Sequence, residues 1–414
     1  MKKTAIIVVL LTLISKILGF GREITLSYFF GATNVSDAYI IALTIPSFVF
    51  SMIGTGLAAS YIPMYNKISS NRGVSIANQF TSNLINIIVI ISLVLIFITI
   101  LFPDPFIKLF ASGFDEDTFN LAINFTRISV MAILFSGVGY ILRSNLQIYG
   151  NFIAPSLIGL PFNISIITSI ILAFYSNILL LLPIGVAVGF FLQLLIVIPF
   201  LKKTPFSWSW KINFADTHIR EMILLSLPVI VGVSANELNV MVDRTIASHI
   251  TIGGISSLTY AFTIIAFIQG IFSLTLATLI YPNISKMVVE NNIESLKNTV
   301  IKAISIICVF IIPSSVGIII FSHPIVSLLF GRGAFDSQGV TMTSNVLMFY
   351  SIGLIGMGLR EIFARVFFAL QDTKTPMYNS AIALLLNISL NLILSRIYGF
   401  KRISISNKYI GYCR

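Results

Sequence analysis

Three charged residues in the first apolar stretch are where this sequence could do chemistry. Lys16, Arg22 and Glu23 lie in the run Leu13-Ile-Ser-Lys-Ile-Leu-Gly-Phe-Gly-Arg-Glu-Ile, where a membrane-crossing helix should carry no charge. A charge near the bilayer centre costs roughly 2.5–3.5 kcal/mol even on the mildest scales, so such residues face a partner or a water-filled cavity. On a helix Lys16 and Glu23 stand two turns apart on one face, roughly 10 Å along the axis, with Arg22 about a third of a turn away. Gly19 and Gly21 leave this backbone open to bending or to close approach. The alternative is that Lys16 snorkels and the Arg22–Glu23 pair sits among headgroups. Asp37, at the start of the second apolar stretch beside Ser36, is a cavity candidate that a helix N-cap role would also explain.

The other chemistry-bearing residue types do not converge. Cys308 and Cys413 give neither a disulfide framework nor metal-ligand spacing, and His218, His249 and His323 lie far apart. There is no nucleophile elbow, phosphate-binding loop or zinc motif, and Gly19-Phe-Gly21 lacks the third glycine of a dinucleotide fingerprint. The expectation is a protein that is not an enzyme and holds no metal or cofactor, with coupling to an ion gradient or to membrane potential left open.

Composition says what must position those charges. With 57% hydrophobic and 10% charged residues, and a mean hydropathy of +0.97, the chain falls outside the soluble globular range. Apolar runs of roughly 20 residues recur along it, the signature of an all-α polytopic membrane protein, and strands of a membrane barrel would alternate instead. We read eleven spans: 4–29, 37–64, 78–102, 119–146, 152–175, 177–201, 219–247, 253–284, 297–321, 338–369 and 376–397. Lysines and arginines gather at Lys2, Lys3, Lys67, Arg72, Arg143, Lys202, Lys203, Lys211, Lys286 and Lys297, while Asp115, Glu116 and Asp117 fall on the other side. That asymmetry places the N-terminus in the cytoplasm, and the net charge of +11 between spans is no nucleic-acid signal. The longest polar connection, 203–216, holds both tryptophans, as suits a cytoplasmic interface.

That connection also divides two similar halves. Pro63-Met-Tyr-Asn-Lys67 ends span two as Pro282-Asn-Ile-Ser-Lys286 ends span eight, and Pro105 recurs as Pro324 at the same separation. Pro155 and Pro376 each open a fifth span. The expectation is two parallel pseudo-repeats of six transmembrane helices: an N-terminal lobe at 1–202, a linker at 203–216, and a C-terminal lobe at 217–414 whose last helix is missing. Parallel repeats of this kind occur in secondary transporters. Carried across the repeat, Lys16 falls on Glu237, Arg22 on Asp243 and Glu23 on Arg244, each sign reversed. Glu237, Asp243 and Arg244 are therefore candidates for gating or cross-lobe charge pairing. The Pro-headed segments 103–114 and 324–335 read as short amphipathic pieces in the outer interface.

Several motifs then converge: Leu18-Gly-Phe-Gly-Arg-Glu23, Phe30-Gly-Ala, Ser36-Asp-Ala-Tyr39, Val242-Asp-Arg244, Leu328-Leu-Phe-Gly-Arg-Gly-Ala-Phe335, Arg360-Glu-Ile-Phe-Ala-Arg365 and Gln371-Asp-Thr-Lys-Thr-Pro376. Together they resemble the MurJ/MviN lipid II flippase family of the multidrug/oligosaccharidyl-lipid/polysaccharide exporter superfamily, through about residue 398. The resemblance implies alternating access by two helical lobes of a bacterial inner-membrane protein around a cationic cavity. It puts Lys16, Arg22, Glu23 and Asp37 on that cavity, with lipid II or a related undecaprenyl-linked molecule as substrate, and membrane lipids and cell-wall synthesis proteins as partners. A diphosphate needs fixed cations in a low-dielectric site, and arginine suits bidentate phosphate contact. Two positions depart from the pattern, since Phe50-Ser51 and Phe262-Thr263 stand where cations are expected. An exporter of another lipid-linked oligosaccharide, a cation-coupled drug exporter and a non-transporting scaffold are the alternatives. The polar stretch 399–414 stands where a twelfth helix should begin, and the expectation from it is a truncated product with reduced or no transport.

Overall fold

The computed structural model describes residues 2–370 and, beyond them, 372, 374–376, 378–379, 382–383 and 385–386. Most of span 376–397 and all of the tail 399–414 lie outside the described residues. The regular elements among those described are all helical, with no strand. The helices are α1 (Lys2–Phe30), α2 (Asn34–Arg72), α3 (Val74–Leu101), α4 (Pro103–Ala111), α5 (Glu116–Ser129), α6 (Ala132–Ile148), α7 (Ile153–Leu157), α8 (Gly159–Ser176), α9 (Leu181–Leu201), α10 (Thr217–Ile250), α11 (Gly254–Gln269), α12 (Thr275–Val289), α13 (Ile293–Leu329) and α14 (Ser337–Ala369). Among the described residues seven helical stretches are long and apolar enough to cross a membrane, eight if the bent α5–α6 pair is one span.

The helix boundaries follow the hydropathy, and the departures have local causes. A π-helical turn at Gly270–Leu274 separates α11 from α12 inside what reads as one span. The segment after Pro105 is indeed a separate short helix, α4, burying Ile107 and Phe110. Its counterpart at Pro324 likewise lies beyond a break, at Phe321 with φ −107° and ψ 19°, and forms the last helical piece of α13. Proline cannot donate to the helical ladder and crowds the preceding turn, so the break falls just before it. Serine and threonine hydroxyls inside the apolar helices mostly donate to carbonyls one turn back, as Thr25 does to Gly21, Thr44 to Ile40 and Ser136 to Ala132. With no water in the hydrocarbon, that is the nearest acceptor.

Contacts divide the chain into two compact units, residues 1–29 with 34–250, and residues 30–33 with 251–414. The first has a core where α2, α3, α6, α7, α9 and α10 meet, centred on Tyr61, Tyr65, Phe80, Ile141 and Met222. Its phenols are all engaged: Asn145 donates to the Tyr61 hydroxyl at 2.9 Å, and Tyr65 meets the Tyr149 hydroxyl and Asn78. The polar connection after α9 lies along α3. Asn78 Nδ2 donates to the Pro205 carbonyl at 2.6 Å, Asn86 Nδ2 to those of Ser209 and Lys211 at 2.9 and 3.0 Å, and Asn83 exchanges two bonds with the Asn213 backbone. Four buried polar residues of α3 (Asn78, Ser82, Asn83 and Asn86) thus satisfy the backbone of a segment with no helix or sheet partner. Trp208, Trp210, Ile212 and Phe214, at alternate positions of this extended strap, are all exposed, and the two indoles lie 4.3 Å apart.

In the second unit α14 packs on α11, α12 and α13, with Ser315 donating to the Ser351 carbonyl at 2.6 Å. Two of the motifs meet here. Gly31, at φ +64°, rests on the Ala334 carbonyl where no Cβ would fit, and its own carbonyl accepts from the Tyr260 hydroxyl at 3.1 Å. The Tyr260 ring packs against Phe330 and Phe335, and Asp336 caps α14 by accepting from the Gly339 amide at 2.7 Å. Glycine at position 31 is a steric and conformational requirement.

Candidate functional site

The charged part of α1 is built on a close approach to α8. Ser15 and Gly19 are one turn apart on α1, and Gly159 and Asn163 one turn apart on α8. A Cβ on Gly159 would collide with the Ser15 hydroxyl, and Gly19 has Asn163 within 3.8 Å. Small residues at four-residue spacing let membrane helices approach through their backbones. The predicted close approach therefore holds at Gly19, whereas Gly21 has nothing near it and α1 stays helical through both.

Asn163 is the centre of that contact. Its buried amide nitrogen donates to the Ser15 carbonyl at 3.2 Å and to the Gly159 carbonyl at 2.8 Å. With the nitrogen committed, Oδ1 faces Arg22 and accepts from Nη1 at 3.4 Å. The guanidinium sits 5.8 Å from the centroid of the Phe162 ring, which packs on Phe190 and covers Gly189 of α9. On its other side Arg22 donates from Nε and Nη2 to Glu23 Oε1, at 3.0 and 2.5 Å. Both bonds go to the same carboxylate oxygen. Tyr39 of α2 is buried, and its hydroxyl makes no hydrogen bond among the described residues.

Of the residues expected from sequence to line a cavity, Arg22 and Glu23 are together here. Neighbours on a helix point apart, yet the arginine side chain is long enough to fold back onto the next residue. Arg360 and Glu361 show the limit of that geometry, at 3.8 Å with the arginine exposed. Lys16 is exposed and takes part in no ion pair among the described residues. Asp37 is buried, but α2 starts at Asn34, whose side chain accepts from the Val35 amide, so Asp37 stands inside the first turn and not at the cap. A carboxylate there still complements the helix dipole. Glu237, Asp243 and Arg244 are half-buried along α10, whose neighbours are α2, α3 and α4. Among the described residues no group of three or more His, Cys, Asp or Glu side chains could hold a metal ion.

Asn163 and Tyr39 were not among the sequence candidates. Asn163 follows Pro161-Phe162 in an apolar run, and its one signal was the four-residue step from Gly159 that matches the step from Ser15 to Gly19. The arrangement places a cation, neutralised by one carboxylate and set over a ring, beside a helix crossing where Gly159 has no room for a Cβ. It can exchange one anionic partner for another.

A family model described as Lipid II flippase MurJ matches residues 26–413. A protein from Buchnera aphidicola subsp. Baizongia pistaciae described as "Probable lipid II flippase MurJ" is 30% identical over 395 residues, 94% of this chain and 77% of that protein. One of the same description from Vibrio cholerae is 27% identical over 99% of this chain and 80% of that protein. Among solved structures, "Lipid II flippase MurJ, inward closed conformation" matches with a TM-score of 0.84 and 28% identity, covering 96% of this chain and 83% of that one. An inward-facing multidrug resistance MATE family transporter of the MOP superfamily matches with a TM-score of 0.67 at 15% identity, covering 98% and 99%, a likeness of fold alone.

Proposed function

The chain belongs to the MurJ family of lipid II flippases, and from that premise we propose that the Arg22–Glu23–Asn163 group is where its substrate's diphosphate is held during transfer. Lipid II flipping is the function that membership carries, a transport activity and not a catalysed reaction, in a multi-pass protein of the inner membrane. The observation that carries the site reading is the guanidinium fixed between Glu23 Oε1, Asn163 Oδ1 and the Phe162 ring.

The physical argument concerns exchange. Removing one partner of a buried ion pair leaves an uncompensated charge and costs about 3–5 kcal/mol, so Arg22 does not leave Glu23 unless an equivalent anion replaces it. A diphosphate supplies that anion, and the planar guanidinium can meet two of its oxygens at once. Substrate binding and release of Glu23 are then one event, a local change able to bias a two-state helix arrangement.

The wider reading has the following parts. Alternating access occurs between two six-helix repeats, with eleven spans in this sequence and the N-terminus cytoplasmic. Lys16 and Asp37 join Arg22 and Glu23 on the cavity, and Glu237, Asp243 and Arg244 pair across the lobes to gate it. The strap at 203–216 then lies at the cytoplasmic interface, which the exposed Trp208 and Trp210 beside Lys202, Lys203 and Lys211 support. No ion or cofactor is assigned to the coupling.

Complementation tests the site. Bacteria depleted of their own lipid II flippase are supplied with this chain, with Arg22→Ala or with Arg22→Lys, and membrane levels are matched. The reading expects Arg22→Ala to fail and Arg22→Lys to fail or grow poorly, since an ammonium retains the charge but not the bidentate geometry. Growth of Arg22→Ala at the rate of the unmodified chain would remove Arg22 from the mechanism.

A further inference from the structure

Arg143 is a charge without a counter-ion. It stands on α6, against which α2, α3, α7 and α9 pack. No charged residue occurs in α3, α7 or α9, and α2 carries none between Asp37 and Lys67. Arg143 accordingly makes no ion pair among the described residues. Snorkelling to headgroups does not account for it either. From Ala132 to Tyr149 no residue is exposed, so α6 is an interior helix. The side chain also runs the other way. Arg143 is near the C-terminal end of α6, yet its Nε donates to the Gly139 carbonyl at 3.0 Å, one turn back toward the middle of the span. The guanidinium lies 4.4 Å from the centroid of the Tyr140 ring, and that ring fills the space over Gly54 of α2, where a Cβ would come within 2.6 Å of it. With Nε committed, both Nη groups are left without an acceptor among the described residues. A Cβ on the buried Gly139 would meet nothing within 4 Å, so there is open space beside the carbonyl that holds Nε. A fixed cation, an unused two-donor edge and open space suit an anion, and a charge inside a membrane bundle marks the path of a substrate or ion.

We propose that Arg143 is a second contact for the substrate's diphosphate, built on α6 and α2 and not on the α1–α8 pair that holds Arg22. The inference rests on lipid II as the substrate and not on the role of Arg22. Nη1 and Nη2 donate to two diphosphate oxygens while Nε keeps the Gly139 carbonyl, so the guanidinium is used where it stands. Arg22 has to exchange Glu23 for the substrate, since its donors already go to Oε1. Arg143 has no protein anion to give up. Its uncompensated charge lowers stability while the site is empty and strengthens binding when the site is filled.

Arg143→Met in the full chain, purified into nanodiscs, tests this, because methionine keeps an unbranched side chain able to pack on the Tyr140 ring but removes the charge. Affinity for lipid II, affinity for undecaprenyl diphosphate and the thermal unfolding midpoint are measured on the same samples. Loss of hydrogen bonds to a charged group predicts about tenfold weaker binding of both lipids. The midpoint without ligand is expected to stay the same or rise, since an uncompensated charge has left the interior. Arg143→Lys, which keeps the charge without the planar fork, should recover part of the lost affinity. Unchanged affinity in Arg143→Met, or a midpoint that falls in step with affinity, would overturn the proposal. A loss confined to lipid II would overturn it too, because the anion would then be a carboxylate of the headgroup peptide and not the diphosphate. Arg22→Ala is measured alongside. Weak binding by Arg22→Ala with normal binding by Arg143→Met removes Arg143 alone, whereas the reverse supports Arg143 and removes Arg22.

Discussion

Replacing Asn163 with leucine separates what holds α1 to α8 from what orients Arg22. The side chains are of similar size, so the packing against Gly19 at 3.8 Å survives and only hydrogen bonds are lost. Of the three, the bond to Gly159 stays within α8, whereas those with Ser15 and Arg22 cross between helices. Interhelical hydrogen bonds in membrane proteins are worth about 0.6 kcal/mol on average, so the two together contribute about 1 kcal/mol. The carbonyls of Ser15 and Gly159 keep their helical amide donors, which limits the loss further. The unfolding midpoint should therefore fall by only about 1–3 °C in a chain of this size. Substrate affinity should fall much further, by about tenfold, because the guanidinium loses the acceptor that fixes its plane. Asn163→Asp provides the contrast: it keeps an acceptor for Arg22 but turns a second oxygen on the Ser15 and Gly159 carbonyls, so its stability should be the lower of the two. Thermal unfolding and lipid II binding in nanodiscs are the assays. Wild-type affinity in Asn163→Leu, or a midpoint lowered by more than about 10 °C, would refute the reasoning.

Other consequences follow from single contacts. Gly159→Ala forces a methyl group onto the Ser15 hydroxyl, so its unfolding midpoint should drop, and Ser15→Gly in the same chain should restore most of it. Asn86→Ala removes two bonds to the strap backbone and the acceptor for the Trp208 indole. Tryptophan emission, which comes from Trp208 and Trp210, should shift to the red, and trypsin should cut faster at Lys211. In the turn after α14 the Thr375 hydroxyl and amide, with the Lys374 amide, hold the Asp372 carboxyl below its usual range. A lowered value means the turn gains stability above the ordinary carboxylate range, about pH 4, and loses it as pH falls through the lowered value. Thr375→Val should move that loss to higher pH, read by hydrogen exchange at the Lys374 amide.

Periodicity and charge made much of this legible from sequence. Apolar runs located the helices, although α2 and α13 run on to Arg72 and Leu329, each eight residues past the end read from hydropathy, and the charges on α1 marked Arg22 and Glu23 because charge in an apolar helix needs a partner. What stayed hidden was long-range or conformational. Asn163 reaches Arg22 across 141 positions, and one asparagine in an apolar run gives little sign of what it faces. Asn78, Ser82, Asn83 and Asn86 form a polar stripe on α3 visible in the sequence, but its object, an extended strap from beyond α9, was not. Arg22 and Glu23 meet although helical neighbours point apart, since that rule describes Cβ directions and not the reach of a long side chain. The Pro324 segment, read as a short piece of its own, follows a break at Phe321 that interrupts α13 just before the proline.

Transport itself gives the most direct test of the Arg22 exchange. The full chain is reconstituted in proteoliposomes with fluorescent lipid II, and the label reaching the opposite leaflet is read by an impermeant quencher. The account predicts flipping by the unmodified chain, near-complete loss in Arg22→Ala and in Glu23→Ala, and unfolding midpoints in all three that show folded protein. Flipping at the unmodified rate by folded Arg22→Ala would contradict it.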